Sequence, residues 1–420
     1  MANGILMPTT SAQVSGHKFL VRRIEHGLVL GDVRMIHDPL SRRRRALTFG
    51  AVACVLIAIG SLALAMFRPA IDPGDAALIQ AESGALYVRI DDAVHPVSNL
   101  ASARLILGEA AEPVAASDVI ISATTRGVPV GIANAPSLIN PGPINGEAAW
   151  LGCHNEDTGA MHVAVLDAQP PHLAEGEAMV GASQSSSGEL KWHLITASGR
   201  AGLPGPDTPE GRIVRRHLGI TDDTPVLHLG PDLLNTIPEN PAVTFPEPLP
   251  EVVQAGSRIW IRVGEAVQPI TALQHGMLID AGAHTTQEIR PALGGYPDTS
   301  SLDLTLPATL VDWVDMQDKF VCADGQGGVM VLDSLDPGVA LSGDASAVEF
   351  HMELNDGAVG TDSGFGYYLL SDTGLMHPVV DGDTMSALGV SDVYEVPWSV
   401  LQLLPQGSEL SRESALLPMY

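Results

Sequence analysis

The chain has 420 residues, and its 22 Lys+Arg against 49 Asp+Glu give a formal net charge of −27. So acidic a balance excludes nucleic-acid binding by the bulk of the chain, because a phosphate backbone would be repelled. Gly and Pro number 43 and 31 while aromatic residues make up only 4%, which predicts many short elements and turns in a chain long enough for one or two cores.

Charge is not evenly spread. Residues 1–45 hold eight Lys+Arg and three acidic residues, a net of +5, and the remaining 375 hold fourteen and forty-six, a net of −32. The basic start suits an anionic lipid leaflet or an acidic partner. Within it Leu20, Ile24, Leu28, Gly31 and Met35 follow one another at helical spacing, which predicts an amphipathic helix stopped by Pro39. Two readings stand for its apolar stripe: rest on lipid head groups, or docking to a partner through Leu20, Ile24, Leu28 and Met35.

Ala46 to Phe67 is a run of 22 residues without a charge; at 1.5 Å per residue it reaches about 33 Å, enough for a hydrocarbon core of about 30 Å. Arg42, Arg43, Arg44 and Arg45 precede it and only Arg68 follows, so the positive-inside bias predicts a cytoplasmic N-terminus and an outer domain beyond the inner membrane. Ala63-Leu64-Ala65 fits a signal-peptidase pattern, but the 45 residues before the run and the length of the run favour an uncut anchor.

The outer part repeats itself. GALYVRIDDAVHPVSNLASARLILG from Gly84 aligns without a gap to SRIWIRVGEAVQPITALQHGMLIDAG from Ser257, Tyr87 falling on Trp260, Pro96 on Pro269 and Leu100 on Leu273. Divergent copies follow in LKWHLITASGRAGLP and GYYLLSDTGLMHPV. Each predicts a hairpin and then a short helix. Cys153 and Cys322, and the pairs Leu233-Leu234 and Leu403-Leu404, recur at offsets of 169 and 170, so the outer region reads as a tandem duplication. The expected fold is a single N-terminal transmembrane helix followed by an α+β, β-rich domain, four small repeats around a central β domain with a pseudo-two-fold. The expected boundaries are a cytoplasmic segment 1–45, span 46–67, linker 68–83, repeat one 84–125, central piece 126–187, repeat two 188–250, repeat three 251–300, central piece 301–363, and repeat four with the C-terminal segment 364–420. Equivalent residues near a local two-fold meet, so Cys153 and Cys322, in an oxidising compartment, are expected to form a disulfide; two free buried thiols are the alternative. Cys54, inside the apolar run, reads as a small apolar residue.

Catalytic signatures are sparse. No G-x-x-x-x-G-K-[ST] occurs, and the only lysines are Lys18, Lys191 and Lys319, none in a Gly-rich loop. Asp362-Ser363-Gly364 reads as a turn. His154 has no second ligand at zinc spacing, and Asp91-Asp92 and Asp381-Gly382-Asp383 make no full calcium loop. His95 and His377 precede Pro in two repeats and Gln268 fills the slot in a third, which suggests a structural role. No cofactor or metal is expected.

QVSGHKFLVRRIEHGLVLGDVRM before the span, GALYVRIDDAVHPVSNLASARLI after it, the later cysteines and VPWSVLQLLPQGSELS near the end closely resemble the EccB family of type VII (ESX) secretion membrane complexes of mycobacteria and related actinobacteria. The resemblance runs from about Gln13 to Leu410. It implies a disulfide-braced periplasmic domain with four peripheral repeats, assembly with EccC, EccD and EccE, pairing of neighbouring periplasmic domains, and export of Esx, PE and PPE-type proteins. The chain is shorter than many relatives, chiefly at the C-terminus and in loops. ATPase activity has been attributed to the family, and no recognisable site for it stands in these residues. A structural subunit is thus the expected function, with a noncanonical ATP hydrolase and a cell-wall binding module as alternatives. The last would use exposed aromatics at Tyr87, Trp192, Trp260, Tyr367 or Tyr368, which read more readily as core residues of their own repeats.

Overall fold

The structure, a computed structural model, describes residues 10–31, 39–66, 70–142, 148–287, 294–300, 302–354 and 357–419. It divides into two compact units, Met1–Ala70 and Ile71–Tyr420.

The smaller unit is helical. Helix α1 (Ser11–Leu30) opens on a capping box, in which the Thr10 hydroxyl accepts the Gln13 N–H and the Gln13 side chain accepts that of Thr10. It closes where Gly31 enters the left-handed region at φ 66° and donates to the Gly27 carbonyl. Pro39 is therefore not the stop expected from the sequence. It is the first residue of helix α2 (Pro39–Met66), a position where its missing N–H costs nothing. Within α2, Arg44–Leu64 is, among the described residues, the one stretch long and apolar enough to cross a membrane, with a mean hydropathy of 2.4. Phe67, the end of the expected span, lies outside the described residues. Thr48 and Ser61 donate their hydroxyls to carbonyls one turn back, so the apolar helix keeps these polar groups paired.

In the larger unit one strand path occurs four times. Leu86–Ile90 lies between antiparallel Leu78–Ala81 and Ala93–Val97; Val114–Ala116 adds in parallel to the first, and residues 126 and 130 bridge in parallel to the last. Leu190–Thr196 lies likewise between Glu177–Gln184 and Gly199–Leu203, flanked by Val226–Leu229 and Glu239–Asn240. Arg258–Val263 lies between Glu251–Ala255 and Ala266–Ile270, flanked by Thr285–Gln287 and by Asp298 bridged to Val267. Tyr367–Leu370 lies between Val359–Asp362 and Met376–Val379, flanked by Tyr394–Glu395 and by residues 406 and 410. After each third strand a helix begins at a side chain that accepts a backbone N–H of the first turn: Asn99, Thr208, Thr271 and Asp381. At Asp381 these Thr384 hydrogen bonds hold the carboxyl below its ordinary range.

The boundaries of these sheets differ from those read off the hairpins. Leu78–Ala81 falls in the stretch taken for a linker, and Glu177–Gln184 and Val359–Asp362 fall in the stretches taken for central pieces. Each lies between the central strand of its hairpin and the parallel flanking strand, second from one end of a five-membered path. Glu177–Gln184 is buried on both faces along Ala178–Ser183 and lacks the alternation that betrays a half-exposed strand.

The first and fourth sheets share one core, in which Leu105, Val130, Leu369 and Leu388 meet, and the second and third share another through Val214, Leu218, Met277 and Leu278. Between them stands a six-stranded sheet in the order Val329–Leu332, Phe320–Ala323, Ala149–Asn155, Ala160–Leu166, Ala347–Met352, Val339–Ala340. One face carries Trp150, Val163, Val321 and Phe350 and is covered by Leu233, Ile237, Val400 and Leu403. Gly152 sits beneath that cover, where a Cβ would come within 3.0 Å of both Leu403 and Thr236. Only the smallest residue admits both segments.

Candidate functional site

Three features with functional reach are separable along the chain. On α1, Leu20, Ile24 and Leu28 are 55%, 61% and 82% exposed, and Arg23 and Gly27 lie beside them on the same helix face. Met35, the fourth residue of the expected docking stripe, lies outside the described residues. The exposed stripe is aliphatic with Arg23 at its edge, a chemistry suited to an apolar helix face or to acyl chains beneath anionic head groups.

On α2, Arg44 and Arg45 are exposed at the basic end of the span, and the backbones of Arg42 and Arg43 continue the same helix toward Pro39. Leu47, Phe49, Leu56, Ile57 and Leu64 are all more than 60% exposed. A helix apolar all round meets no water-soluble requirement and fits lipid.

The third feature is the face of the central sheet opposite its covered side. Strands Ala149–Asn155 and Phe320–Ala323 run antiparallel with Cys153 directly opposite Cys322, and the two sulfurs are bonded. Leu151, Ala164 and Met330 surround them, and both cysteines are fully buried. The bond joins hairpins that lie 169 residues apart in sequence. Farther along the same strand, burial pushes the His154 imidazole below its ordinary pKa; Glu156, at 3.5 Å, pulls against that shift and also receives His228 at 2.6 Å.

The residues that precede the repeat prolines act alike. His95 Nδ1 donates to the Val128 carbonyl at 3.0 Å, the Gln268 amide to that of Leu302 at 3.0 Å, and His377 Nδ1 to that of Ser408 at 2.9 Å. Each ties the third strand to the segment that returns about thirty residues later, which is why a histidine and a glutamine serve equally. Burial holds the His377 imidazole below its usual pKa. The candidate glycan-binding aromatics pack inward: Tyr87, Trp260, Tyr367 and Tyr368 lie against the cores of their sheets, and Trp192 lies under the Arg215 guanidinium, 4.4 Å away. Asp362-Ser363-Gly364 is a turn, with the Asp362 carboxylate accepting the Gly364 N–H at 2.8 Å.

Known proteins of this architecture are close at hand. The chain is similar to the ESX-1 secretion system ATPase EccB1 of Mycobacterium tuberculosis, 27% identical with 97% of this chain and 94% of that protein covered. It is 28% identical to the ESX-3 secretion system ATPase EccB3 of Mycolicibacterium smegmatis, over 97% and 90% of the two chains. Among solved structures, a chain of an intact ESX-5 inner membrane complex matches with a TM-score of 0.66 and 25% identity over 100% of this chain and 97% of that one. The EccB3 dimer from the ESX-3 core complex shares the fold, with a TM-score of 0.67 at 22% identity over 81% of this chain and all of the other. The family described as type VII secretion system ESX-1, transport TM domain B, matches residues 6–273 and 338–419. With the apolar N-terminal helix, the four-fold strand path and the bonded cysteine pair, that match over most of the length means that the chain belongs to the EccB family of type VII secretion.

Proposed function

We propose that the chain is a bitopic structural subunit of a type VII (ESX) secretion inner-membrane complex, anchored by α2 and building the periplasmic part with residues 71–420. The observation that carries this reading is likeness along the whole chain to one chain of an intact ESX-5 inner membrane complex, joined to a single candidate span with a basic flank on one side and an acidic bulk on the other. Arg42, Arg43, Arg44 and Arg45 keep the N-terminus cytoplasmic. The stripe Leu20, Ile24, Leu28 and Met35 docks on subunits of the EccC, EccD or EccE type, outer domains of neighbouring copies associate, and the cargo is of the Esx, PE or PPE type.

A tandem duplication underlies the outer domain. Its support is the strand path repeated four times, the pairing of sheet one with four and of two with three, and the meeting of Cys153 with Cys322 at the centre. A two-fold that exchanged the halves would send the first pairing onto the second.

Removing residues 11–30 while keeping Pro39–Arg45 tests the docking role. The shortened chain should insert in the same orientation, fall out of the complex and stop export. Undiminished co-purification with normal export would reduce α1 to an interfacial helix. The names of the relatives favour a second reading, a noncanonical ATP hydrolase. Steady ATP turnover by the purified chain, abolished by a defined substitution, is the result that would establish it.

A further inference from the structure

The central sheet carries three metal-ligating side chains that the scaffold reading does not use. His162 lies directly opposite Cys153 on one side and Glu349 on the other, so the disulfide and these residues share one row across the sheet. Strand Ala347–Met352 has a register shift between Ala347 and Glu349. A bulge of this kind re-aims side chains, and here Glu349 and His351 are brought onto the face of His162 while Phe350 turns into the opposite core.

The donor atoms converge. His162 Nδ1 lies 3.1 Å from His351 Nε2, and Glu349 Oε2 lies 3.7 Å from each. Ligands about 2.0–2.1 Å from a tetrahedral Zn²⁺ stand about 3.3–3.4 Å apart, so the three separations bracket the value the ion requires. His351 Nδ1 donates to the Asp336 carbonyl, which orients the ring with Nε2 toward His162 and Glu349. His162 and His351 stand within hydrogen-bond distance of each other, whereas at 3.7 Å neither imidazole hydrogen-bonds Glu349 Oε2. A cation at the centre satisfies all three. Both histidines are less than 10% exposed, and Phe320 packs edge-on against His162 with ring centroids 5.2 Å apart. Glu349 remains 35% exposed, which leaves solvent a way to the fourth position.

We propose that His162, Glu349 and His351 form a binding site for a divalent transition metal, Zn²⁺ foremost, that clips strand Ala347–Met352 to Ala160–Leu166. Two imidazoles and one carboxylate select a borderline cation over Mg²⁺ or Ca²⁺, which favour all-oxygen sites. The disulfide joins the two central hairpins, and the metal joins the next strand along the same row.

The test uses the full chain in detergent micelles, without a histidine tag and with Cys54→Ser to remove the free thiol. After chelation and dialysis, Zn²⁺ is titrated by calorimetry and Co²⁺ by visible absorption. One Zn²⁺ per chain and the visible bands of four-coordinate Co²⁺ are expected. Glu349→Gln and His162→Ala should each weaken binding by at least about tenfold, while His284→Ala, an exposed histidine elsewhere, should leave it unchanged. If His162→Ala fails to fold, the part-exposed Glu349→Gln decides alone. Absence of stoichiometric Zn²⁺ binding, or binding that Glu349→Gln leaves intact, overturns the proposal.

Discussion

Replacing Cys153 and Cys322 together by Ala releases a cross-link between residues 169 apart. In the chain-entropy account a closed loop of that length is worth about 5 kcal/mol at 25 °C, at the upper end for a single bond. The 350 residues of the larger unit unfold near 60 °C with about 2.1 cal/mol/K per residue, so the same free energy lowers Tm by about 7 °C. Alanine is the replacement of choice because Leu151, Ala164 and Met330 line the space, where a serine hydroxyl would add the cost of an unpaired polar group. The assay is thermal unfolding of the detergent-solubilised full chain with and without reductant. Reductant should shift the native chain by about the same amount as the double substitution and leave the double variant unmoved. A double variant that melts within 1 °C or so of the native chain, or peptide mapping that finds both thiols alkylatable in unreduced protein, would refute the reasoning.

Arg104 and Glu112 form an ion pair at 2.9 Å, but they should respond unequally to replacement. Glu112 is 82% exposed, so Glu112→Ala should change stability by less than about 1 kcal/mol; buried Arg104 also donates to the Leu388 and Ala111 carbonyls and holds sheet four's helix to sheet one's, so Arg104→Ala should cost about 1.5–3 kcal/mol in denaturant unfolding. Acid should also weaken the outer domain. Burial lowers the imidazole pKa of His154, His193 and His377 in the folded chain, so the unfolded chain binds more protons as pH falls below about 6.5 and stability drops through that window toward the lower folded values. Denaturant midpoints measured from pH 7.5 to 5 should fall steadily, and His377→Gln, which keeps a donor where Gln268 already serves in the third sheet, should flatten the decline.

Legibility followed chemistry that is local in sequence. The span was written in an unbroken apolar run, and the hairpins in the alternation of Leu86–Ile90 and Arg258–Val263, whose registers pair Tyr87 with Pro96 and Trp260 with Pro269. The strands that complete each sheet were not so written. Leu78–Ala81 is four residues long, and Glu177–Gln184 is built largely of small residues buried on both faces, so neither shows a period. Gly31, not Pro39, ends the first helix, because a left-handed glycine breaks it before the proline is reached. The cysteine pair was suggested by equivalence between the halves, whereas His162, Glu349 and His351 gave no spacing signal: their chemistry depends on a parallel pairing and a bulge that bring together residues up to 189 apart.

The most direct measurement is mass spectrometry of the proteins that leave the native membrane with the intact chain under gentle detergent. The scaffold account predicts a large assembly containing ESX subunits of the EccC and EccD type, dispersed when residues 11–30 are removed. Recovery of the chain alone, at the mass of a free subunit, would contradict it.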